Sequence, residues 1–108
     1  DVFSGIENVA GTNLNDDLTG DGAANYLLGL VGNDTLDGGG GDDILEGGIG
    51  ADVIRGGAGF DFATFGGAAV GVTASLAGGS QTGEAAGDVY ESIEGLLGSS
   101  FGDVLTGN

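Results

Sequence analysis

Residues 11–64 repeat with a period of nine residues and without a slip in register. The six successive repeats are GTNLNDDLT, GDGAANYLL, GLVGNDTLD, GGGGDDILE, GGIGADVIR and GGAGFDFAT. Every repeat begins with Gly, carries Asp or Asn at its sixth position and has an apolar residue at its eighth; the last four also have Gly at their fourth position. So short a period indicates a solenoid, in which each repeat contributes one small structural element.

Each repeat predicts a turn followed by a short strand. Six Gly-rich residues can adopt positive-φ turns that bring backbone carbonyls together, and the last three can form a strand with its central side chain inward. Two repeats then form one coil of eighteen residues, so residues eighteen apart lie above one another at about 4.8 Å. The inward positions predict a thin core formed by Leu18, Leu27, Leu36, Leu45, Ile54 and Ala63.

The sixth positions are expected to stack along the two edges of such a coil. One edge carries Asp16, Asp34 and Asp52, and the other carries Asn25, Asp43 and Asp61. Carboxylates about 5 Å apart repel by roughly 0.8 kcal/mol in water and by several-fold more in a protein. A divalent cation between them reverses the sign, and Ca²⁺ accepts oxygen ligands in a more flexible geometry than Mg²⁺. The stacks therefore predict a roll that folds poorly without calcium.

The composition supports cations as partners. The chain has 17 Asp and Glu against one Arg, a formal charge of −16, and contains neither His nor Cys. The negative charge argues against nucleic acid and anionic membranes as partners. The absence of His and Cys means that the side chains preferred by zinc and copper are missing, and it excludes catalysis by His or Cys. No apolar run of about 18 residues is present, so no membrane insertion is expected. We expect a calcium-binding chain that is not an enzyme.

The nonapeptide G-G-x-G-x-D-x-U-x resembles the RTX (repeats-in-toxin) family. The resemblance implies an all-β, right-handed parallel β-roll, or β-solenoid, with Ca²⁺ in the Gly-rich turns. It also implies that each calcium ion lies between two turns that are eighteen residues apart. The first turn binds the ion through the carbonyls of its second and fourth positions and through its acidic side chain. The later turn binds it through the carbonyls of its first and third positions and through its acidic side chain. Carried over to this sequence, the strong sites are Leu30, Gly32 and Asp34 with Gly47, Ile49 and Asp52, and Gly39, Gly41 and Asp43 with Gly56, Ala58 and Asp61.

Two weaker sites follow from the same resemblance. They are Thr12, Leu14 and Asp16 with Gly29, Val31 and Asp34, and Asp21, Ala23 and Asn25 with Gly38, Gly40 and Asp43. They are weaker because Leu14 and Ala23 replace the fourth-position Gly and because Asn25 is neutral. Four Ca²⁺ ions would add +8 to the ten acids and one Arg of residues 11–64, changing a formal −9 to about −1.

A second, longer period of 87 residues relates residues 1–20 to residues 88–107 without a gap. The intervening spacer contains an alternating strand over 70–76, followed by a loop excursion over 77–87. We therefore expect the solenoid to continue through the spacer with longer coils. The predicted organisation is the end of a preceding spacer coil at 1–10, six repeats at 11–64, spacer strands and loop at 65–97, and the start of a next block at 98–108.

Two further features leave alternatives open. An apolar ladder on the outward side of one edge is formed by Tyr26, Ile44 and Phe62. It is covered by a later segment of the chain, it is covered by a neighbouring molecule, or it is left uncovered. Glu7 and Glu94 recur at equivalent places beside Ile. Each either accepts backbone N–H groups in a bend or provides an extra calcium ligand.

The resemblance implies a secreted bacterial protein, extracellular or at the cell surface, with calcium ions as partners. A tandem array would form an extracellular rod, fibre, adhesin stalk or surface layer, in which copies associate end to end or laterally. The alternative is an appendage beside the catalytic domain of a secreted protease, lipase or alginate epimerase. A third hypothesis, a disordered acidic linker that buffers cations, predicts no cooperative response to calcium.

Overall fold

The computed structural model of the chain describes residues 8–66, 71–76, 81, 83–99 and 102–106. Across these ranges it contains only three-residue strands and a single 3₁₀ turn, at Gly83–Ala85. The strands are β1 Asn8–Ala10, β2 Asp17–Thr19, β3 Tyr26–Leu28, β4 Thr35–Asp37, β5 Ile44–Glu46, β6 Val53–Arg55, β7 Phe62–Thr64, β8 Thr73–Ser75, β9 Val89–Glu91, β10 Gly95–Leu97 and β11 Val104–Thr106.

Successive strands of the repeat block alternate between two parallel sheets. One sheet has the order β1-β3-β5-β7-β10, and the other has the order β2-β4-β6-β9. Leu18 pairs with Leu36, and Leu36 with Ile54, so partners lie eighteen residues apart. The coil of two repeats and the parallel β-roll are therefore confirmed.

The central side chain of each strand in the repeat block points into the roll. Leu18 is 2% exposed and the five other predicted core residues are fully buried. Their spacing of nine residues places one aliphatic side chain per strand in the core. The predicted core is confirmed, but it is narrow, because a single line of side chains removes little apolar area from water.

The turns require glycine where backbone passes over backbone. Gly48 and Gly50, at the second and fourth positions of one repeat, have φ of 91° and 129°. A Cβ at Gly50 would lie 2.0 Å from the carbonyl oxygen of Gly32 in the coil below. Leu30 adopts φ of 79° at a second position, a conformation that costs a residue with a Cβ roughly 1–2 kcal/mol. The positive φ of the second position is therefore retained at Leu30, although Gly is replaced there.

Two strands of the spacer pair with the two repeat sheets through longer coils. Strand β9 pairs with β6 at an offset of 36 residues, and β10 follows β7 at an offset of 33 residues. The predicted strand over 70–76 is observed as β8, which leaves both sheets and pairs with β11. Val70, and residues 77–80 and 82 of the predicted excursion, lie outside the described residues. A second core cluster fills this region and comprises Phe65, Val72, Ala74 and Ala85.

The outward apolar ladder forms in the predicted register. Tyr26, Ile44 and Phe62 lie side by side on β3, β5 and β7, and each is half-buried. Gly95 of β10 follows Phe62 in the sheet, and the Phe62 ring lies so close that a Cβ at Gly95 would overlap it. A later segment of the chain therefore covers the Phe62 end of this ladder.

Candidate metal site

Two ladders of polar side chains run along the roll, each just before the strands of one sheet. In the first ladder, each backbone N–H donates to Oδ1 of the next member over 2.7–2.9 Å. In the second ladder the corresponding bond is 2.8 Å at every step, and Oε1 of Glu94 is the last acceptor. The first ladder comprises Asp16, Asp34, Asp52 and Asp88, and the second comprises Asn25, Asp43, Asp61 and Glu94.

Four of the ladder carboxylates within the repeat block are buried. Asp34, Asp43, Asp52 and Asp61 are at most 1% exposed. Oδ1 of each accepts the N–H described above, whereas Oδ2 of Asp34, Asp43 and Asp61 has no hydrogen-bond partner among the described residues. A buried carboxylate oxygen without a donor is costly unless a cation compensates its charge. These oxygens therefore have the environment of metal ligands.

Two of the ligands that the resemblance assigned to the first strong site, Asp34 and the Gly47 carbonyl, lie close together in the structure. Oδ2 of Asp34 and the carbonyl oxygen of Gly47 each lie 2.6 Å from the position that a Cβ would occupy on Gly29. Only a glycine leaves this space, and two oxygens from successive coils converge on it. The carbonyls of Leu30 and Gly32 face the glycines of the turn eighteen residues later.

The second strong site repeats this arrangement on the other edge of the roll. Oδ2 of Asp43 lies 2.3 Å, and the carbonyl oxygen of Gly56 lies 2.8 Å, from the position of a Cβ on Gly38. The carbonyls of Gly39 and Gly41 again face the turn eighteen residues later, at Gly57 and Gly59. Both strong sites thus have one geometry, as the nonapeptide period requires.

Some of the assigned carbonyls also hold the turns together. Each second-position carbonyl accepts a hydrogen bond from a third-position N–H in the next coil. The acceptor and donor residues are Thr12 and Val31, Asp21 and Gly40, Leu30 and Ile49, and Gly39 and Ala58, over 2.8–3.4 Å. The Ile49 carbonyl accepts the N–H of Gly32 over 2.9 Å. A carbonyl oxygen has two lone pairs, so one remains for a metal ion.

The first weaker site keeps the convergence but partly satisfies its carboxylate. Oδ2 of Asp16 and the carbonyl oxygen of Gly29 lie 2.7 and 2.9 Å from the position of a Cβ on Gly11. The same Oδ2 accepts the backbone N–H of Thr12 over 2.7 Å and its hydroxyl over 3.1 Å. Leu14, which replaces the fourth-position Gly, is 73% exposed. Because these hydrogen bonds partly compensate its charge, the Asp16 carboxylate would gain less from a bound cation than the carboxylates of the strong sites.

In the second weaker site, a side-chain amide contacts the assigned oxygens. Nδ2 of Asn25 donates to the Ala23 carbonyl over 2.7 Å and to the Gly38 carbonyl over 3.4 Å. It also donates over 3.3 Å to Oδ1 of Asp43 and to Oδ1 of Asp21. The amide thus supplies hydrogens to the group of oxygens that the resemblance gives to an ion.

Burial raises the pKa of three carboxyl groups in the ladders, those of Asp34, Asp43 and Asp61. Desolvation is the largest cause in each case, and it raises the pKa of Asp43 to about 6. The pKa of Asp34 is raised by desolvation and, less strongly, by the charge of Asp16. For Asp61, the desolvation is reinforced by the charge of Glu94. The protein alone therefore does not compensate these negative charges.

Acidification is expected to stabilise the metal-free chain. A folded-state pKa of about 6 for Asp43 lies above its ordinary value, so the folded state binds more protons than the unfolded state at intermediate pH. The resulting stability is fully present below the unfolded pKa and is lost as the pH rises through about 6. Far-UV circular dichroism in a chelator should show more β-structure at about pH 5 than at about pH 7. Equal or weaker β-structure at the lower pH, with sedimentation excluding aggregation, would contradict this expectation.

No basic side chain is available to the ladders. The single Arg of the chain, Arg55, forms an exposed ion pair with Glu91. Among the described residues, no group of three or more His, Cys, Asp or Glu side chains converges. The ligands assigned to the four sites are carboxylate, amide and carbonyl oxygens, which are hard donors that fit Ca²⁺ and not Zn²⁺ or Cu²⁺.

The nine-residue period did not predict that the ladders extend beyond the repeats. Asp88 accepts the N–H of Asp52, and Glu94 accepts the N–H of Asp61, so the spacer supplies the next member of each ladder. Each residue directly precedes a strand, as the sixth position does in a repeat, and that was the available signal. Of the two readings of Glu94, acceptance of a backbone N–H is observed. Glu7 lies outside the described residues.

Stacked Gly-rich turns with buried carboxylates between parallel strands define a calcium-binding β-roll. The chain belongs to the RTX calcium-binding nonapeptide repeat family, whose four-copy description matches residues 3–36, 10–45 and 28–63. It is therefore a calcium-binding structural repeat module. Neither a curated protein nor a solved structure was found to match the chain. In the portion of the chain that the structure describes, no helix is long and apolar enough to cross a membrane.

Proposed function

We propose that calcium ions bound between the stacked turns stabilise this chain, which folds poorly without them, and that it serves as a structural module of a secreted protein and not as an enzyme. The observation that carries the proposal is the buried Oδ2 atoms of Asp34, Asp43 and Asp61, for which the described residues provide no hydrogen-bond donor. In the strong sites, Asp34 and Asp52, and likewise Asp43 and Asp61, would hold one ion together with the carbonyls assigned above. Calcium would supply the positive charge that the ladders lack.

Charge and core size both support coupling of binding to folding. Residues 11–64 carry ten acids and one Arg, and the repeat core contains one aliphatic side chain per strand. A metal that binds the folded state but not the unfolded state stabilises folding by its binding free energy. We expect affinities of about 10⁻⁴ to 10⁻³ M, as in other extracellular calcium modules.

A calcium titration followed by far-UV circular dichroism tests this proposal. The chain should change cooperatively from coil to β-structure with Ca²⁺ but not with Mg²⁺, because Mg²⁺ demands octahedral geometry and releases water reluctantly. Coil signal that persists at millimolar Ca²⁺ would favour the disordered cation-buffering linker. An equal response to both ions would contradict the ligand geometry.

Replacing Asn25 by Asp is expected to increase the number of bound calcium ions by one. In the wild type, the amide hydrogens contact the oxygens of the second weaker site. A carboxylate would repel those oxygens and would restore the charged ligand found in the other repeats. Asn15→Asp is the matched control, because Asn15 lies at an exposed fifth position and accepts only the N–H of Asn33 in the described hydrogen bonding. Equilibrium dialysis with ⁴⁵Ca should show the additional ion in Asn25→Asp alone.

The strand pattern favours a tandem array as the wider role. Strands β10 and β11 lie 87 residues after β1 and β2, which is the long sequence period. Strand β10 lies in the same sheet as β1, whereas β11 pairs with β8 in a separate sheet. Successive 87-residue units could therefore join through these strands into one extracellular rod, fibre, stalk or surface layer. The other candidate is an appendage of a secreted enzyme. Flanking sequence distinguishes them: further 87-residue units favour the array, and an adjacent catalytic motif favours the appendage.

A further inference from the structure

We propose that a fifth calcium site lies where the last nonapeptide meets the spacer, formed by Asp61, the carbonyl of Ser92 and the carboxylate of Glu94. This inference extends the proposed function, on which it rests, to a segment outside the repeats. No nonapeptide supplies the upper half of this site. The spacer does so instead, with residues whose spacing differs from the repeat.

The convergence that marks the two strong sites recurs at this junction. Oδ2 of Asp61 lies 2.4 Å, and the carbonyl oxygen of Ser92 lies 2.3 Å, from the position of a Cβ on Gly56. In the strong sites the corresponding distances are 2.3–2.6 Å for the carboxylate and 2.6–2.8 Å for the carbonyl. Ser92 therefore takes the role that Gly47 and Gly56 have in the repeats. Its φ of 53° is the left-handed conformation of a turn.

Glu94 takes the role of the next sixth-position Asp. Its Oε1 accepts the N–H of Asp61 over 2.8 Å, the length of the corresponding bond from Asp43 to Asp61. Its own N–H and that of Gly95 donate to the Asp61 carbonyl over 3.0 and 3.1 Å. Glu94 follows Ser92 by two residues, whereas Asp52 follows Gly47 by five. The longer Glu side chain suits this shorter turn.

The junction contains negative charge that the described part of the chain does not neutralise. Asp61 is fully buried, and its Oδ2 has no hydrogen-bond partner within the described ranges. The charge of Glu94 acts on Asp61 from the next coil. Arg55, the single basic residue, is paired with Glu91. Two carboxylates and a turn carbonyl are hard oxygen donors that suit Ca²⁺, and an ion here would fasten the repeat block to the spacer.

Counting bound calcium in variants tests this site. Glu94→Gln keeps an oxygen that can accept the Asp61 N–H but loses the charge, so it should bind one ion fewer than the wild type by equilibrium dialysis with ⁴⁵Ca. Glu91→Gln, an exposed change three residues away, is the matched control and should bind the wild-type number. The calcium-induced β-signal of Glu94→Gln should remain, because the two strong sites within residues 11–64 keep all their assigned ligands.

The outcomes separate this site from the proposed function. If the wild type binds no calcium, the proposed function fails. If Glu94→Gln binds as many ions as the wild type with equal affinity, the fifth site is wrong while the function stands. Crystals of the wild type grown with calcium provide a test that does not depend on folding of the variant. An anomalous peak contacting Asp61 and Glu94 supports the site, and its absence, with peaks at the strong sites, overturns it.

Discussion

Replacing Gly50 by Ala is expected to destabilise the calcium-loaded roll by about 3 kcal/mol or more. Gly50 has φ of 129°, and a Cβ there would lie 2.0 Å from the carbonyl oxygen of Gly32. That carbonyl is assigned to the first strong site as a ligand. Relieving the overlap would therefore displace a calcium ligand. Urea unfolding at saturating calcium measures the loss.

Gly22→Ala is the matched control for this substitution. A Cβ at Gly22 would meet no atom within 4 Å, so the change should alter the free energy of unfolding by about 0.5 kcal/mol or less. Equal losses for the two variants would show that the close passage of the coils over one another does not limit stability. The account would then be wrong about the turns.

Replacing Asp43 by Asn is expected to remove about 2.7 kcal/mol of calcium-dependent stability, the contribution of one site at a hundredfold excess over its Kd. Asp43 is fully buried, and its Oδ2 converges with the Gly56 carbonyl. The neutral amide lacks the charge that attracts the ion. In a chelator, however, the variant should be at least as stable as the wild type, because a buried charge has been removed.

The measurement is the difference between the free energies of unfolding in saturating calcium and in a chelator. Asp17→Asn is the control, because it removes the same charge from an exposed strand position outside the turns. It should leave this difference nearly unchanged. A loss at both positions would mean that calcium acts through the net charge of the chain and not through a ligand at Asp43.

The repeat block could be predicted from sequence because one period fixes both packing and chemistry. The eighth positions become the core, as Leu36 and Leu45 show, and the sixth positions become the buried ladders, as Asp34 and Asp43 show. Both results follow from alternation of side chains in a strand and from stacking at an eighteen-residue interval. No tertiary information beyond the period was needed.

Outside residues 11–64, the sequence does not predict the strand pairing and the hydrogen bonds, because these depend on the path of the chain in three dimensions. Asp88 lies 36 residues after Asp52 and Glu94 lies 33 residues after Asp61 in the ladders. Neither offset equals the eighteen-residue interval of the repeats. Strand β8 pairs with β11 and not with either repeat sheet, because the longer coil carries it away from them. The orientation of the Asn25 amide depends on four acceptors from different turns. These features are set by nonlocal contacts.

A calcium anomalous difference map from crystals of the folded chain shows whether the stacked carboxylates are buried together because they share an ion. The account predicts peaks bounded by Asp34 and Asp52 and by Asp43 and Asp61, each also contacted by turn carbonyls. A well-ordered roll in which these pairs adjoin no calcium peak, at saturating calcium, would contradict it.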